Sequence, residues 1–302
     1  MNRNRAAGRN PHSVRPAWSE RVSKAEVIDF WDRASCGEEL YLSEGDYQAQ
    51  ADERYRLEPY IKTFIEPERW SGAKVLEIGV GLGADHQLLA ESGAVLSGVD
   101  LTPRAIQHTK ERFRRLGLKS DLRVADAENL PFEDATFDMV YSWGVIHHSP
   151  DTYKSVREIF RVLKPNGTMK VMIYHKWSLI GLMLWLRYGL AIGRPWRSLD
   201  DIYACHLESP GTKAYSRRYA RETLFMNTPG LKIATLLTHG DLLESEAGQR
   251  HRGALLTLAR RLWPRWFFRR FFPDSGLFML IEARKYAFGD PHPLPELSDA
   301  PR

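Results

Sequence analysis

The nine residues 75–83, VLEIGVGLG, constrain this chain more than any others. A short β-type run, Val75-Leu76-Glu77-Ile78, breaks into glycines at alternate positions, Gly79, Gly81 and Gly83. A helical pattern follows, with Leu88, Leu89 and Ala90 on its apolar side. A strand that turns through glycines into a helix leaves backbone N–H groups and the positive end of a dipole beside the turn. Glycine permits positive φ there and lets a ligand lie against the backbone. The turn therefore predicts a ligand site, and the rest of the sequence must say which ligand.

From residue 74 the chain alternates strand and helix. The pattern predicts strands at 74–78, 94–99, 121–125 and 137–142, with helices at 84–92, 103–116 and 152–163. Lys164-Pro165-Asn166-Gly167 reads as a turn before a strand at 168–174. Such a series folds as a parallel sheet with helices on both faces. Ligands in these sheets bind beyond the carboxyl ends of the strands. Two carboxylates, Asp100 and Asp126, close the second and third strands there. Asp100 can accept hydrogen bonds from a ribose diol, Asp126 from an exocyclic amino group, and Leu101 can cover a ring face.

A dinucleotide fold uses Gly-x-Gly-x-x-Gly against a pyrophosphate. Here the spacing is Gly-x-Gly-x-Gly, and Glu77 stands two residues before it. That carboxylate repels a phosphate and suits an ammonium group. A nucleoside with a positively charged amino-acid tail, such as S-adenosylmethionine, satisfies these constraints together. At this point the chain resembles the class I S-adenosylmethionine-dependent methyltransferases, in the branch of ubiquinone/menaquinone-type and other small-molecule enzymes. The matching stretches are VLEIGVGLG (75–83), LSGVDLTPRAI (96–106), VADAENLPFEDATFDMVYSWGVIHH (124–148) and EIFRVLKPNGTMKV (158–171).

The resemblance implies an α/β, Rossmann-like, seven-stranded and mostly parallel sheet with helices on both faces and an antiparallel final strand. N-terminal helices and insertions in the C-terminal half would decorate it. It implies that Glu77, Gly79, Gly81 and Gly83 hold the methionine part of S-adenosyl-L-methionine, Asp100 the ribose, and Asp126 with Ala127 the adenine. Trp143 would lie at the methyl-transfer mouth. His147 and His148 follow the fourth strand and are the candidate bases, His148 slightly ahead by analogy; Tyr174 and His175 are weaker candidates. Ordinary structural roles for these histidines stay open.

The two cysteines, Cys36 and Cys205, lie far apart and outside any metal-ligand spacing, so neither a disulfide framework nor a metal site is expected. A net charge of +5 permits an anionic partner without demanding one. The N-terminus has no apolar core of a secretory signal, and no run reaches the ~20 apolar residues of a spanning helix. A cytoplasmic protein, with membrane association as an open addition, is the expectation.

The chain divides into a basic arm at 1–20 read as disordered, an N-terminal helical cap at 21–70, and a donor-binding core at 71–175. Then come an insertion at 176–230, expected to cover the acceptor site, the last strands with a basic–aromatic insertion at 231–286, and a tail at 287–302 read as disordered. Ser23 and Glu26 have capping-box spacing, and the cap helices are candidate lids. Residues 177–192 are apolar nearly all round, with Arg187 the only charge. Residues 260–273, RRLWPRWFFRRFFP, would as one helix set Arg261, Arg265 and Arg269 opposite Trp263, Phe267 and Phe271. Both segments fit peripheral membrane contact, and equally fit packing on the core.

The expected partner is a small-molecule acceptor, lipid-like if the membrane reading holds. Nucleic acid is not the expected partner, and without an Asn/Asp-Pro-Pro-Tyr motif after the fourth strand, methylation of a base exocyclic amine is not indicated. An RNA or protein methyltransferase, a non-catalytic protein that retains the fold, and an NAD-linked oxidoreductase are the alternatives.

Overall fold

The computed structural model describes residues 22–33, 47–226, 228–244, 257 and 260–286. The basic arm at 1–20 and the tail at 287–302 lie outside the described residues.

Helix α1 (Lys24–Arg33) starts on the capping box: the Ser23 amide donates to Glu26 Oε2 at 2.7 Å, and the Glu26 amide donates to Ser23 Oγ at 3.3 Å. The rest of the helical cap is built of α2 (Tyr47–Leu57) and α3 (Tyr60–Ile65), with Pro59 at the N-cap of α3. Pro59 has no N–H to continue α2. Ile61 and Ile65 are buried, and Tyr55 and Phe64 pack partly buried beside them.

Seven strands follow: β1 (Lys74–Ile78), β2 (Val95–Asp100), β3 (Asp121–Val124), β4 (Phe137–Trp143), β5 (Leu163–Tyr174), β6 (Lys232–Leu236) and β7 (Phe278–Arg284). Their order is 3-2-1-4-5-7-6. β7 runs antiparallel between β5 and β6, and the remaining pairings are parallel. Helices α4 (Ala84–Glu91), α5 (Pro103–Leu116) and α6 (Thr152–Val162) make the crossovers. Thr102 caps α5 and Asp151 caps α6, each through its side chain. Neighbouring strand residues feed opposite faces: Leu76 and Val140 enter one core cluster, Val75, Met139 and Tyr141 the other.

Two expectations are corrected. The turn at 164–167 lies inside β5, which begins at Leu163. The extra length is absorbed by a register shift against β4 between Phe137 and Met139, and Asn166 takes φ +63° there. Its amide bonds Lys285 O at 3.0 Å instead of closing a turn. The single helix over 260–273 is also absent, because the chain breaks at Trp263-Pro264 before α9 (Arg265–Phe271). The Arg265 guanidinium turns back and donates to the carbonyls of Leu242, Leu243 and Arg260 at 2.9 to 3.0 Å. The expected basic stripe therefore loses its middle residue.

The insertion after β5 contributes α7 (Leu179–Tyr188) and α8 (Leu199–His206). Among the described residues no helix is long and apolar enough to cross a membrane.

Candidate active site

Strand order reverses between β1 and β4, and a cavity of about 270 Å³ opens beyond the carboxyl ends of the strands at that point. Its floor is the glycine turn. Gly79 takes φ +83°, and a Cβ there would lie 2.1 Å from Val145 Cγ2. Gly83, at φ +78°, is the N-cap of α4 and has no side chain to cap it. Both positions require glycine, for conformation and for space.

Glu77, Gly79, Gly81, Gly83, Asp100, Leu101, Asp126, Ala127, Trp143 and His148 all line the cavity; His147 does not. Asp100 Oδ2 accepts from the Gly81 amide at 3.1 Å, while Oδ1 accepts from the Thr102 amide and hydroxyl at 3.0 and 2.9 Å. Desolvation raises its pKa against these bonds. Asp126 Oδ1 accepts from the Glu128 amide at 2.9 Å. Its Oδ2 takes the Lys24 ammonium, which also reaches Glu128 Oε2 at 3.0 Å.

Glu77 is 3% exposed and lies 2.9 Å from His86 Nδ1; His86 Nε2 is 2.7 Å from Ser120 Oγ. Burial, with the Asp85 charge next, holds Glu77 well above the usual carboxylate range, and burial pushes His86 down to about 3. Both shifts favour the uncharged forms, and a cation entering the cavity would favour ionised Glu77. Burial also works against the neighbouring Asp85 charge, but Arg54 outweighs it and lowers the pKa. Arg54 holds Asp85 through Nε and Nη2 at 3.0 and 2.7 Å, and the hydroxyls of Tyr55 and Tyr141 complete the shell. Six carboxylates line the cavity against Lys24 and Arg54, a balance that favours a cationic ligand.

The cap closes over this end. Lys24, Val27 and Trp31 of α1 and Gln50 and Arg54 of α2 all reach the cavity. At the other end Trp143 stacks on Tyr60 with 6.1 Å between ring centroids and meets Phe278 edge-on at 5.6 Å. His148 Nδ1 lies 2.8 Å from Ser209 Oγ, and Nε2 lies 3.4 Å from Glu208 Oε2. The Tyr174 hydroxyl donates to the same Glu208 oxygen at 2.7 Å. His175 is buried with Nδ1 3.2 Å from Gly276 O and does not reach the cavity.

His147 is 0% exposed, with ring centroids 4.2 Å from His148 and 4.1 Å from Tyr174. Among the described residues neither of its ring nitrogens has a hydrogen-bond partner. Burial, then the nearby His148 and Lys213, hold its pKa well below 6.5, so the ring is neutral. Each bare buried polar atom costs about 1–3 kcal/mol.

Sequence reading missed Lys24, Arg54, Asp85 and Glu208. Asp85 alone had a local signal, two residues beyond the last glycine of the turn.

Comparison with known proteins agrees with this geometry. Residues 76–171 match the family model described as a methyltransferase domain. Over that stretch, about a third of the chain, the sequence is similar to a methyltransferase domain. Similar curated proteins include a sterol 4-C-methyltransferase of Caenorhabditis elegans, 37% identical over 101 residues, covering 33% of this chain and 30% of that protein. A tocopherol O-methyltransferase of Arabidopsis thaliana is 30% identical, covering 43% and 41%. A ubiquinone biosynthesis O-methyltransferase of Xanthomonas axonopodis pv. citri is 33% identical, covering 38% and 46%. The chain thus spans less than half the length of these relatives. A chain from the complex of the Haloferax volcanii Trm112 methyltransferase activator superposes with a TM-score of 0.52 at 16% identity, covering 84% of this chain and 99% of that one. At that identity the likeness speaks for the fold alone.

Proposed function

We propose that this protein transfers a methyl group from S-adenosylmethionine to a lipid-like small molecule that it meets at a membrane surface. One observation carries the reading: a single cavity joins the Asp100 and Asp126 carboxylates at one end to the His148–Glu208 pair at the other.

The residues fit the donor. The glycine turn leaves space that a Cβ would fill, Glu77 can ionise for an ammonium group, and Asp100 and Asp126 present oxygens to a ribose and an adenine. When bound, the donor supplies a methyl group activated on a sulfonium. The chain's task is then placement and exclusion of water. Val27 and Trp31 of α1 cover the cavity, and Trp143 and Phe278 give the acceptor an apolar seat. The His148–Glu208 pair offers the proton-accepting capacity that a hydroxyl or phenol acceptor needs.

The lipid-like class is supported by two exposed apolar surfaces. Trp196 is 77% exposed after α7, and Leu262 and Trp266 are 70% and 74% exposed around α9. Both segments hang from one buried residue: the Ile180 amide donates to Asp241 Oδ1 at 3.2 Å, and Trp263 Nε1 donates to Asp241 O at 3.0 Å. Arg269 and Arg270 flank the second surface, as on helices that rest on anionic lipid. Relatives named for a sterol, a tocopherol and ubiquinone agree in kind.

Two measurements test the proposal. Calorimetry should show S-adenosylmethionine binding at one site per chain; heat with NADH and none with the methyl donor would refute the donor assignment. Co-sedimentation with phosphatidylglycerol vesicles at low salt should capture the protein and lose it in a Trp266→Glu, Phe267→Glu variant. Absence of binding by the parent protein would remove the membrane part.

A further inference from the structure

We infer that His147, His148 and Glu208 form a binding site for one divalent metal cation at the acceptor end of the cavity. One ligand atom from each of the three lies within 4.8 Å of those of the other two. Two imidazoles and a carboxylate, with further positions open, suit a borderline cation such as Zn²⁺, Mn²⁺ or Co²⁺.

Three independent features point to a ligand. The first is His147, fully buried with both nitrogens lacking a hydrogen-bond partner. The second is the orientation of His148. Its Nδ1 faces the hydroxyls of Ser209 and Thr212 at 2.8 and 3.3 Å, which leaves Nε2, buried and without a hydrogen-bond partner, directed at Glu208. A metal-bound histidine is fixed in this manner by a partner on its second nitrogen. The third is the Tyr174 hydroxyl, which holds the Glu208 oxygen that His148 faces. Ligating carboxylates are anchored in the same way.

His148, Glu208 and Tyr174 line the cavity, so the open positions of the cation face the space assigned to the acceptor. Ligands there would be oxygen donors, a hydroxyl or a carboxylate on the acceptor. In that case His148 serves as a metal ligand and not as a free base. The cation site itself is independent of the donor assignment; its contact with the acceptor rests on the methyltransferase reading.

The test uses the full chain after dialysis against a chelator. Equilibrium dialysis should show one Zn²⁺ per chain, and Co²⁺ should give a visible d–d spectrum of nitrogen and oxygen coordination. Glu208→Gln and His148→Ala should abolish stoichiometric binding. Tyr174→Phe and Ser209→Ala, which keep the ligands and remove their supports, should weaken it about 10- to 100-fold. S-adenosylmethionine calorimetry on each variant serves as the folding control. A Zn²⁺ content no higher than that of the His148→Ala, Glu208→Gln double variant overturns the site, as does a Co²⁺ spectrum indifferent to these substitutions. Loss of donor binding with metal binding intact would instead overturn the donor assignment and leave this site standing.

Discussion

Lys24 of the cap helix α1 forms an ion pair with Asp126, two residues beyond β3 on the cavity wall. A carboxylate has about four lone-pair sites, so the contact leaves Asp126 room for a second donor. Lys24 therefore acts as a latch that ties the cap to the cavity wall. Both partners are about one-third exposed, and such pairs contribute about 0.2–1 kcal/mol. Lys24→Met should weaken S-adenosylmethionine binding by roughly two- to fivefold, and the difference should shrink at high salt. Calorimetry at two ionic strengths measures it, and tighter binding by the variant would show that Lys24 competes with the ligand.

Asp100 is surrounded by donors. An asparagine in its place turns one oxygen into an NH₂ group, which must face either the Gly81 amide or the Thr102 pair. One buried bond is lost and two donors oppose each other, at a cost of about 1–3 kcal/mol. Asp100→Asn should bind the methyl donor about 10- to 100-fold more weakly. Unchanged affinity would remove Asp100 from the donor site.

Gly79 tests the floor of the cavity. A Cβ 2.1 Å from Val145 Cγ2 cannot be accommodated without a shift, and φ +83° is strained for alanine. Gly79→Ala should destabilise the fold by about 1–3 kcal/mol. Adding Val145→Ala should recover the steric part and leave the conformational part. A double-mutant cycle by urea unfolding separates the two, and strict additivity would place the strain elsewhere.

Lys213 gives a pH dependence with a defined sign. Burial pushes its ammonium down to about 8 from 10.5, against the smaller opposing pull of Asp151 and Glu128. Between those values the unfolded chain binds more protons than the folded one, so this residue makes stability rise with pH. The slope approaches about 1.4 kcal/mol per pH unit within the window. The same ammonium donates to the carbonyls of Ser149 and Pro150, in the loop that carries His147 and His148. Lys213→Met should lower stability overall and flatten the curve from pH 8 to 10.5. Parallel curves for parent and variant would contradict the assignment.

The glycine-turn half of the cavity was legible because its signals are local. Strand, glycine turn and helix succeed each other within about twenty residues, and alternation alone places Asp100 and Asp126 at strand ends. The end of the cavity at His148 was legible only in part. His148 was singled out for its place after β4, but its partner Ser209 is 61 residues away, inside an insertion whose composition names no role. Lys24 is 102 residues from Asp126, and nothing in its own segment marks it as more than a surface lysine on an amphipathic helix. The helix through 260–273 failed for a local reason that was present in the sequence: Pro264 can begin a helix or end one, and tertiary bonds from Trp263 and Arg265 to residues 241–243 decided between them.

By itself, then, the sequence determined the sheet, the glycine turn and the carboxylates Asp100 and Asp126 that line the cavity. These follow from backbone conformation and side-chain periodicity, which act over a few residues. Only the tertiary structure decided how the opposite end of the cavity is built. Burying His147 without partners, turning His148 Nε2 toward Glu208 and hanging two exposed apolar segments from Asp241 all depend on desolvation and hydrogen bonding between distant parts of the chain. Such contacts have no period to read, because each is set by what the rest of the fold leaves unpaired.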